Sequence, residues 1–499
     1  MLLRLLRVIR DSAIYGTGNL LQPLLTLLLL PLYTRYLNQS EYGMLAMMAI
    51  LPVAFGTLAA GGMKTAIYRH YYAAETADQR RRMLSTALWS IMANTVVLLG
   101  LGLLFAEVLA RLLVGKQDVE LATHLVRWTL LSGATVVIVE VPRNVLQISQ
   151  HVKLASLINA ANSLITVSTT LYLVVVAQTG IYGVIWGNMI CNVVAMLLMF
   201  GFTAREYGFL FDVPVWRRMT RYALPFLPHR LQALGMTCFG DYMLTHLLGL
   251  DQTGLYTVAG RIAMPLMFAS TALQTAWGPY KFKVFAEDPQ AGQFFRSAFT
   301  YLFAGSLYLW VGLAALGPDI LRLMTDPKFH AAAGLIWAVG FSRICQSVCP
   351  LMATGIELAS NTTQLPLTSL AGLIAVIAGC ALLIPAFGAL GLGAMGAALA
   401  TGCGWLTMAA GYYFVSQRQL YIPYDWFAIA ALTLIAVACV ALAIAAQNLP
   451  LAPRLASEVA ICAAYPLFVV GALFRSSTER PRVVRLWSLV ASRRGAGPN

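Results

Sequence analysis

Charge is scarce in this 499-residue sequence. Asp, Glu, Lys and Arg together make up 11% of it and hydrophobic residues 59%, where an ordinary soluble domain carries about 25% charged residues. So few charges cannot clothe a water-soluble globule of this length. This excludes a soluble enzyme, a disordered chain and a secreted disulfide scaffold. The eight cysteines all fall in apolar stretches and none forms a Cys-x-x-Cys pair; Cys345 and Cys349 share a helix face as small packing residues. The six histidines are scattered, so no metal site is expected. The loops are short and hold no clustered acids, which argues against a membrane-embedded glycosyltransferase, ligase or polymerase.

What the sequence has in abundance is long apolar runs. A spanning helix needs roughly 20 mainly apolar residues, because hydrocarbon offers no partner for an unpaired backbone group. Fourteen stretches meet this, from 12–36 and 42–67 near the start, through 121–147, 219–248, 252–280, 331–357 and 389–415, to 425–447 and 454–475. The sequence therefore predicts an all-α polytopic membrane protein. Arg4, Arg7 and Arg10 recur every third residue in an apolar background, so residues 1–11 read as an amphipathic helix on the cytoplasmic surface rather than a cleavable signal.

Bases outnumber acids, 34 Lys+Arg against 20 Asp+Glu, for a net charge of +14. Loop bias accounts for most of the excess. Arg80–Arg82, Arg217, Arg218, Arg221 and the tail arginines fall on the same side as the N-terminus. The other side holds far fewer, among them Arg111, Lys116, Arg127, Arg322 and Lys328. Both termini are thus expected in the cytoplasm, and no nucleic-acid partner is implied.

A weak internal repeat divides the spans. LNQSEYGMLA at 37–46 resembles LGLDQTGLYT at 248–257, and aligning Gly43 with Gly254 gives an offset of 211 residues. Two pseudo-symmetric six-helix lobes follow, 12–218 and 219–416, with two further helices in 417–475 and a basic cytoplasmic tail at 476–499. Equal orientation of the lobes predicts a substrate cavity between them, exposed to each side in turn.

Charges inside spans are the most informative residues, because each costs at least about 2.5 kcal/mol near the bilayer centre. Lys64 either snorkels to the inner interface or faces a cavity. Arg261 and Arg343 lie deep in their spans, and each faces a cavity or an ion pair. Arg230 and Asp241 stand close to three turns apart on one helix and mark one polar stripe. Asp241 either neutralises Arg261 or binds a coupling H⁺ or Na⁺. Glu140 and Arg143, three residues apart around Pro142, read as a local pair. A cavity richer in bases than acids favours a substrate carrying phosphate or carboxylate, and Arg suits phosphate through paired donors.

Three segments resemble a known family. GNLLQPLLTLLLLPLYTRYLNQSEYGMLA, GGMKTAIYRHYY and LGLDQTGLYTVAGRIAMPLMFASTALQTAWGPYKFK, the last with Gly254, Tyr256, Ala259, Arg261 and Pro279, are similar to the Wzx-type oligosaccharide flippases of the MOP superfamily. The resemblance implies two six-helix lobes around a cationic cavity. It implies a polyprenyl-diphosphate-linked oligosaccharide, of O-antigen, capsule or exopolysaccharide type, as substrate, moved between leaflets of the bacterial inner membrane by alternating access. It implies no cofactor beyond a coupling H⁺ or Na⁺, and a polymerase and chain-length-control proteins as partners. The family's basic cavity residues carry over best to Arg261, then to Lys64, Arg230 and Arg343. The alternative reading is a multidrug or cation antiporter of the same superfamily, for which an acidic cavity would be the better match.

Overall fold

The computed structural model describes residue 25 and residues 27–148, 152–287, 291–359 and 364–475. The amphipathic N-terminus, most of the first expected span and the basic tail lie outside them. The regular structure among the described residues is helical throughout. In chain order the helices are α1 (Leu30–Tyr36), α2 (Gln39–Ala60), α3 (Met63–Ala73), α4 (Ala77–Leu104), α5 (Ala106–Val114), α6 (Val119–Ile148), α7 (Val152–Leu171), α8 (Ile181–Thr203), α9 (Val213–Ala223), α10 (Leu227–Leu248), α11 (Leu250–Ile262), α12 (Met264–Glu287), α13 (Ala291–Met324), α14 (Ile336–Met352), α15 (Thr354–Leu358), α16 (Leu365–Gly388), α17 (Gly393–Gln419), α18 (Trp426–Ala446) and α19 (Leu451–Arg475).

Ten helical stretches among the described residues are long and apolar enough to cross a bilayer. The outward faces of these helices carry large apolar side chains, such as Leu104 on α4 at 75% exposure and Leu434 on α18 at 70%. Such faces suit acyl chains and not water, and the chain is a multi-pass membrane protein. Of the fourteen expected spans, the first lies mostly outside the described residues, and three others fall short of the ten for local reasons. On α10, His229, Arg230, Gln232, Asp241 and His246 lower the hydropathy. The expected span at 252–280 is broken into α11 and α12. Pro265 cannot donate to the Arg261 carbonyl four residues earlier, so the helix stops just beyond Arg261. Glycines dilute α17.

Helix ends follow the local sequence. Asn38 accepts from the Glu41 backbone at 2.7 Å while the Glu41 carboxylate accepts from the Asn38 backbone at 2.8 Å, a reciprocal cap that starts α2. Gly61 and Gly62 both take positive φ, +51° and +79°, a conformation that side chains with a Cβ rarely adopt. They end α2 and restart the chain as α3, so the expected span at 42–67 is two helices and Lys64 sits in the first turn of the second.

Contacts divide the chain into two compact units. The first is Met1–Arg261 with Met324–Ala331 and Gly372–Thr401; the second is Ile262–Leu323 with Ala332–Ala371 and Gly402–Asn499. In the first unit α6 is the central helix, packed against α2, α4, α5 and α8, while α7 packs along α8. There α2 also packs on α10, and α3 on α9. The second unit has its own core, where Leu307, Trp310, Ile344, Leu432 and Tyr465 come together from α13, α14, α18 and α19.

Within the second unit, buried charges are paired. Lys281 meets Glu357, and Arg296 meets Asp425 at 3.0 Å. Asp319 accepts from Arg322 at 3.0 Å and from Arg454 at 2.6 Å, and fully buried Glu458 takes the Gln447 amide at 2.8 Å. These ties join α13 to α18 and α19 and satisfy charges that hydrocarbon would not tolerate alone.

Candidate functional site: a cationic cavity in the first unit

A cavity of about 550 Å³ lies within the first unit. Residues of α1, α2, α3, α6, α7, α8 and α11 line it, and along α2, α6, α7 and α8 they recur at helical spacing. On α2 they are Tyr42, Leu45, Ala46, Ala49 and Pro52, an apolar face below one tyrosine. Tyr42 to Pro52 is ten residues, so this wall runs roughly 15 Å at 1.5 Å per residue. On α6 the inward residues are Thr129, Ser132, Val136, Glu140 and Arg143. On α7 they are Asn159, Asn162, Ser163 and Thr166, and on α8 Asn188 and Asn192. Thr257 and Arg261 enter from α11, and Lys64 from the start of α3.

Charge gathers in two places along this cavity. Glu140 is shared by Arg143, which donates to its Oε1, and by Lys64, whose Nζ is 3.7 Å from Oε2. Two cations thus face one carboxylate, and Arg143 Nε is buried without a hydrogen-bond partner among the described residues. Arg261 stands apart from this triad, within electrostatic reach of Tyr33 and Tyr42. Neither tyrosine neutralises it. Among the described residues the cavity lining therefore holds three cations and one carboxylate, in surroundings where solvent screening is reduced.

The structure brings four of the seven residues singled out in the sequence into this one cavity: Arg261, Lys64, Glu140 and Arg143. The Glu140–Arg143 pair is present as its spacing predicts, and it extends to Lys64. Arg230 is not in the cavity lining, but its guanidinium donates to the Thr65 hydroxyl at 3.2 Å, one residue from Lys64. Arg343 belongs to the second unit and donates to Gln346 at 3.2 Å. Asp241 lies elsewhere on α10, within electrostatic reach of Cys238 and Cys380.

Sequence reasoning weighed only the charges and passed over the amides. Four asparagines line the cavity at i, i+3 and i, i+4 spacing within apolar helices. That spacing was a readable signal.

One end of the first unit is closely packed. Gly43 of α2 and Gly254 of α11 meet there: a Cβ on Gly43 would lie 3.0 Å from the Gly254 nitrogen, and one on Gly254 3.2 Å from the Gly43 nitrogen. The short segment 324–331 covers the same end. Gln39 donates its side-chain amide to the Lys328 carbonyl, and Tyr42 meets Phe329 edge-on with ring centroids 5.8 Å apart.

Outside the spans, the connection into α9 lies along the surface. Asp212 caps α9 by accepting from Val215, and Arg81 donates to the Tyr207 carbonyl at 3.1 Å. His70 of α3 packs edge-on against Tyr222. Partial burial, together with Arg69 and Arg218, lowers its pKa from the usual histidine value.

Comparison with known proteins now has a geometry to attach to. The family model described as polysaccharide biosynthesis protein matches residues 8–285, more than half of the chain. The chain belongs to that family. Among solved structures, a lipid II flippase MurJ in an inward closed conformation aligns with a TM-score of 0.73 at 12% identity, covering 93% of this chain and 100% of that one. An inward-facing MATE family multidrug transporter of the MOP superfamily aligns at 0.67 with 14% identity, over 85% of this chain and 99% of that one. A MATE in a straight conformation gives 0.60 at 17% identity, over 85% and 96%. The fold is that of these flippases and transporters. A search of curated proteins finds no match.

Proposed function

We propose that the chain is a flippase that carries a polyprenyl-diphosphate-linked oligosaccharide from the cytoplasmic to the opposite leaflet of the bacterial inner membrane by alternating access, with both termini in the cytoplasm. One observation supports this reading: among the described residues, three cations and one carboxylate line a single cavity whose other lining residues are uncharged. A diphosphate brings concentrated negative charge, and Arg261 and Arg143 offer the paired N–H donors that phosphate oxygens accept. Lys64 adds a compact charge, and Arg230, bonded beside it at Thr65, extends the basic approach. The lipid tail stays among acyl chains, where the apolar outer faces already lie.

Arg343 and Asp241 keep their proposed parts. Arg343 is a second anion-holding group in its own unit. Asp241 or Glu140 takes up the coupling H⁺ or Na⁺. Polymerase and chain-length-control proteins are the proposed partners in the pathway.

The test sets anion against cation. The purified chain in nanodiscs is titrated with polyprenyl diphosphate and, in a parallel vesicle assay, with cationic dyes. Saturable binding of the diphosphate lipid without dye flux supports the flippase. Dye flux without diphosphate binding makes the chain a cation antiporter. A bond formed or broken in the sugar lipid makes it an enzyme.

A further inference from the structure

The amide wall facing α2 is the part of the cavity that charge does not explain. Asn159 and Asn162 on α7 and Asn188 and Asn192 on α8 line the same space, with Ser163 and Thr166 following along α7 and Val167, Val184 and Ile185 as the apolar part of the same wall. A buried polar side chain in an apolar helix costs free energy unless it finds a partner. Two polar atoms of lining residues, Asn162 Oδ1 on α7 and Thr129 Oγ1 on α6, are shielded from solvent and have no partner among the described residues, so their hydrogen-bonding capacity is unspent. Asn188 spends its amide N–H on the Val184 carbonyl of its own helix, at 2.8 Å, which leaves its oxygen for the cavity. These groups therefore do not serve chiefly to glue helices together. Small residues do that work here, as where a Cβ on Gly187 would collide with the Thr170 hydroxyl.

We propose that this wall is a glycan subsite, in which the four asparagine amides and the Thr129 hydroxyl read the sugar hydroxyls of the lipid-linked substrate; it rests on the flippase reading above and names what that reading leaves open, the group that selects the sugar. The chemistry matches on both sides of the cavity. A primary amide presents a donor and an acceptor side by side, the complement of two neighbouring sugar hydroxyls. The facing wall of Leu45, Ala49 and Pro52 is apolar, as is the C–H face of a sugar ring. The wall is neutral, so it adds nothing to the grip on the diphosphate, which falls to Arg261 and the Lys64–Arg143 pair. The volume, about 550 Å³, falls in the range of small-molecule sites, roughly 300–1,000 Å³. Affinity and selectivity are thereby separated between two sets of residues. A site built to hydrogen-bond hydroxyls also penalises a sugar that lacks them, because its own polar groups are then left unpaired.

The experiment compares two lipids on the full chain in nanodiscs. One is the lipid-linked oligosaccharide extracted from cells that carry this chain; the other is polyprenyl diphosphate without sugar. Asn162→Leu/Asn188→Leu and, separately, Asn159→Leu/Asn192→Leu are titrated with each, beside Arg261→Ala, and thermal unfolding is recorded for all. The expected result is a loss of about tenfold or more in affinity for the glycosylated lipid in both asparagine variants. Affinity for the bare diphosphate stays within about twofold, and unfolding is unchanged or raised. Arg261→Ala weakens both lipids. Equal loss for both lipids in the asparagine variants, or no loss for either, overturns the glycan subsite while leaving the flippase reading standing. A wild-type chain that binds neither lipid overturns the flippase reading, and the subsite with it.

Discussion

Gly43 and Gly254, which stand at matching positions in the two halves of the sequence, touch backbone to backbone. Contact between equivalent positions is what a two-fold axis passing between them produces. The start of α2 therefore lies against the start of α11 with no side chain between. A Cβ at Gly43 would collide with the Leu250 carbonyl, and one at Gly254 with the Gln39 carbonyl. Gly43→Ala and Gly254→Ala are each expected to destabilise the protein by about 1–3 kcal/mol through overpacking. Because one separation of the helices relieves both clashes, the double variant should lose less than the two losses added together. Thermal unfolding in detergent measures this.

Arg261 is the cavity cation that no carboxylate among the described residues holds; it lies within electrostatic reach of Tyr33 and Tyr42. Arg261→Ala is expected to weaken binding of polyprenyl diphosphate by about 10- to 100-fold, the loss of one charge-assisted bond at about 1.5–3 kcal/mol. Membrane insertion should be unaffected. Arg261→Lys keeps the charge but not the paired donors, and should recover only part of the binding. Titration of the two variants side by side checks this.

Glu140 stands between Lys64 and Arg143 and holds both. Glu140→Gln removes the one carboxylate of the cavity lining among the described residues. Binding of the diphosphate lipid is then expected to tighten, by roughly 1 kcal/mol or fivefold given the partial exposure of the triad. Release should slow to match. The gain should shrink as salt is raised. Binding isotherms at two ionic strengths decide it.

Lys281 is almost fully buried, at 4% exposure, against Glu357. Glu357→Gln strands that ammonium and should cost on the order of 3 kcal/mol, the low end for a broken buried pair because the carboxylate itself is partly exposed. Replacing both, Lys281→Met with Glu357→Leu, should cost much less. Unfolding of the single and double variants makes the comparison.

The membrane fold was legible because hydrocarbon demands long apolar helices, and those runs stand out in the sequence. Boundaries were less legible where the backbone breaks within an apolar run. Gly61 and Gly62 split one expected span and Pro265 splits another, and both breaks place a cavity cation, Lys64 after the first and Arg261 before the second. The matching glycines could be read from the repeat, but that they meet could not, since a repeat gives equivalence and not contact. In the cavity, the charges were visible because an intramembrane charge is rare. The asparagines were less conspicuous because an amide carries no charge, although their i, i+3 and i, i+4 spacing lay in plain view. Arg230 and Arg343 show the limit of reasoning by depth alone: both sit in apolar helices, yet one bonds to Thr65 and the other to Gln346 outside the cavity lining.

The most direct measurement is leaflet exposure in proteoliposomes. The purified chain is reconstituted with a fluorescent polyprenyl-diphosphate-linked oligosaccharide, and a sugar-cleaving enzyme added outside reads how much substrate has crossed from the inner leaflet. The account predicts that wild-type vesicles pass inner-leaflet substrate to the outside until most of it is cleaved, while vesicles bearing Arg261→Ala release only the outer-leaflet share. Wild-type vesicles that protect their inner leaflet as well as protein-free ones, or an Arg261→Ala chain that flips at the wild-type rate, would contradict it.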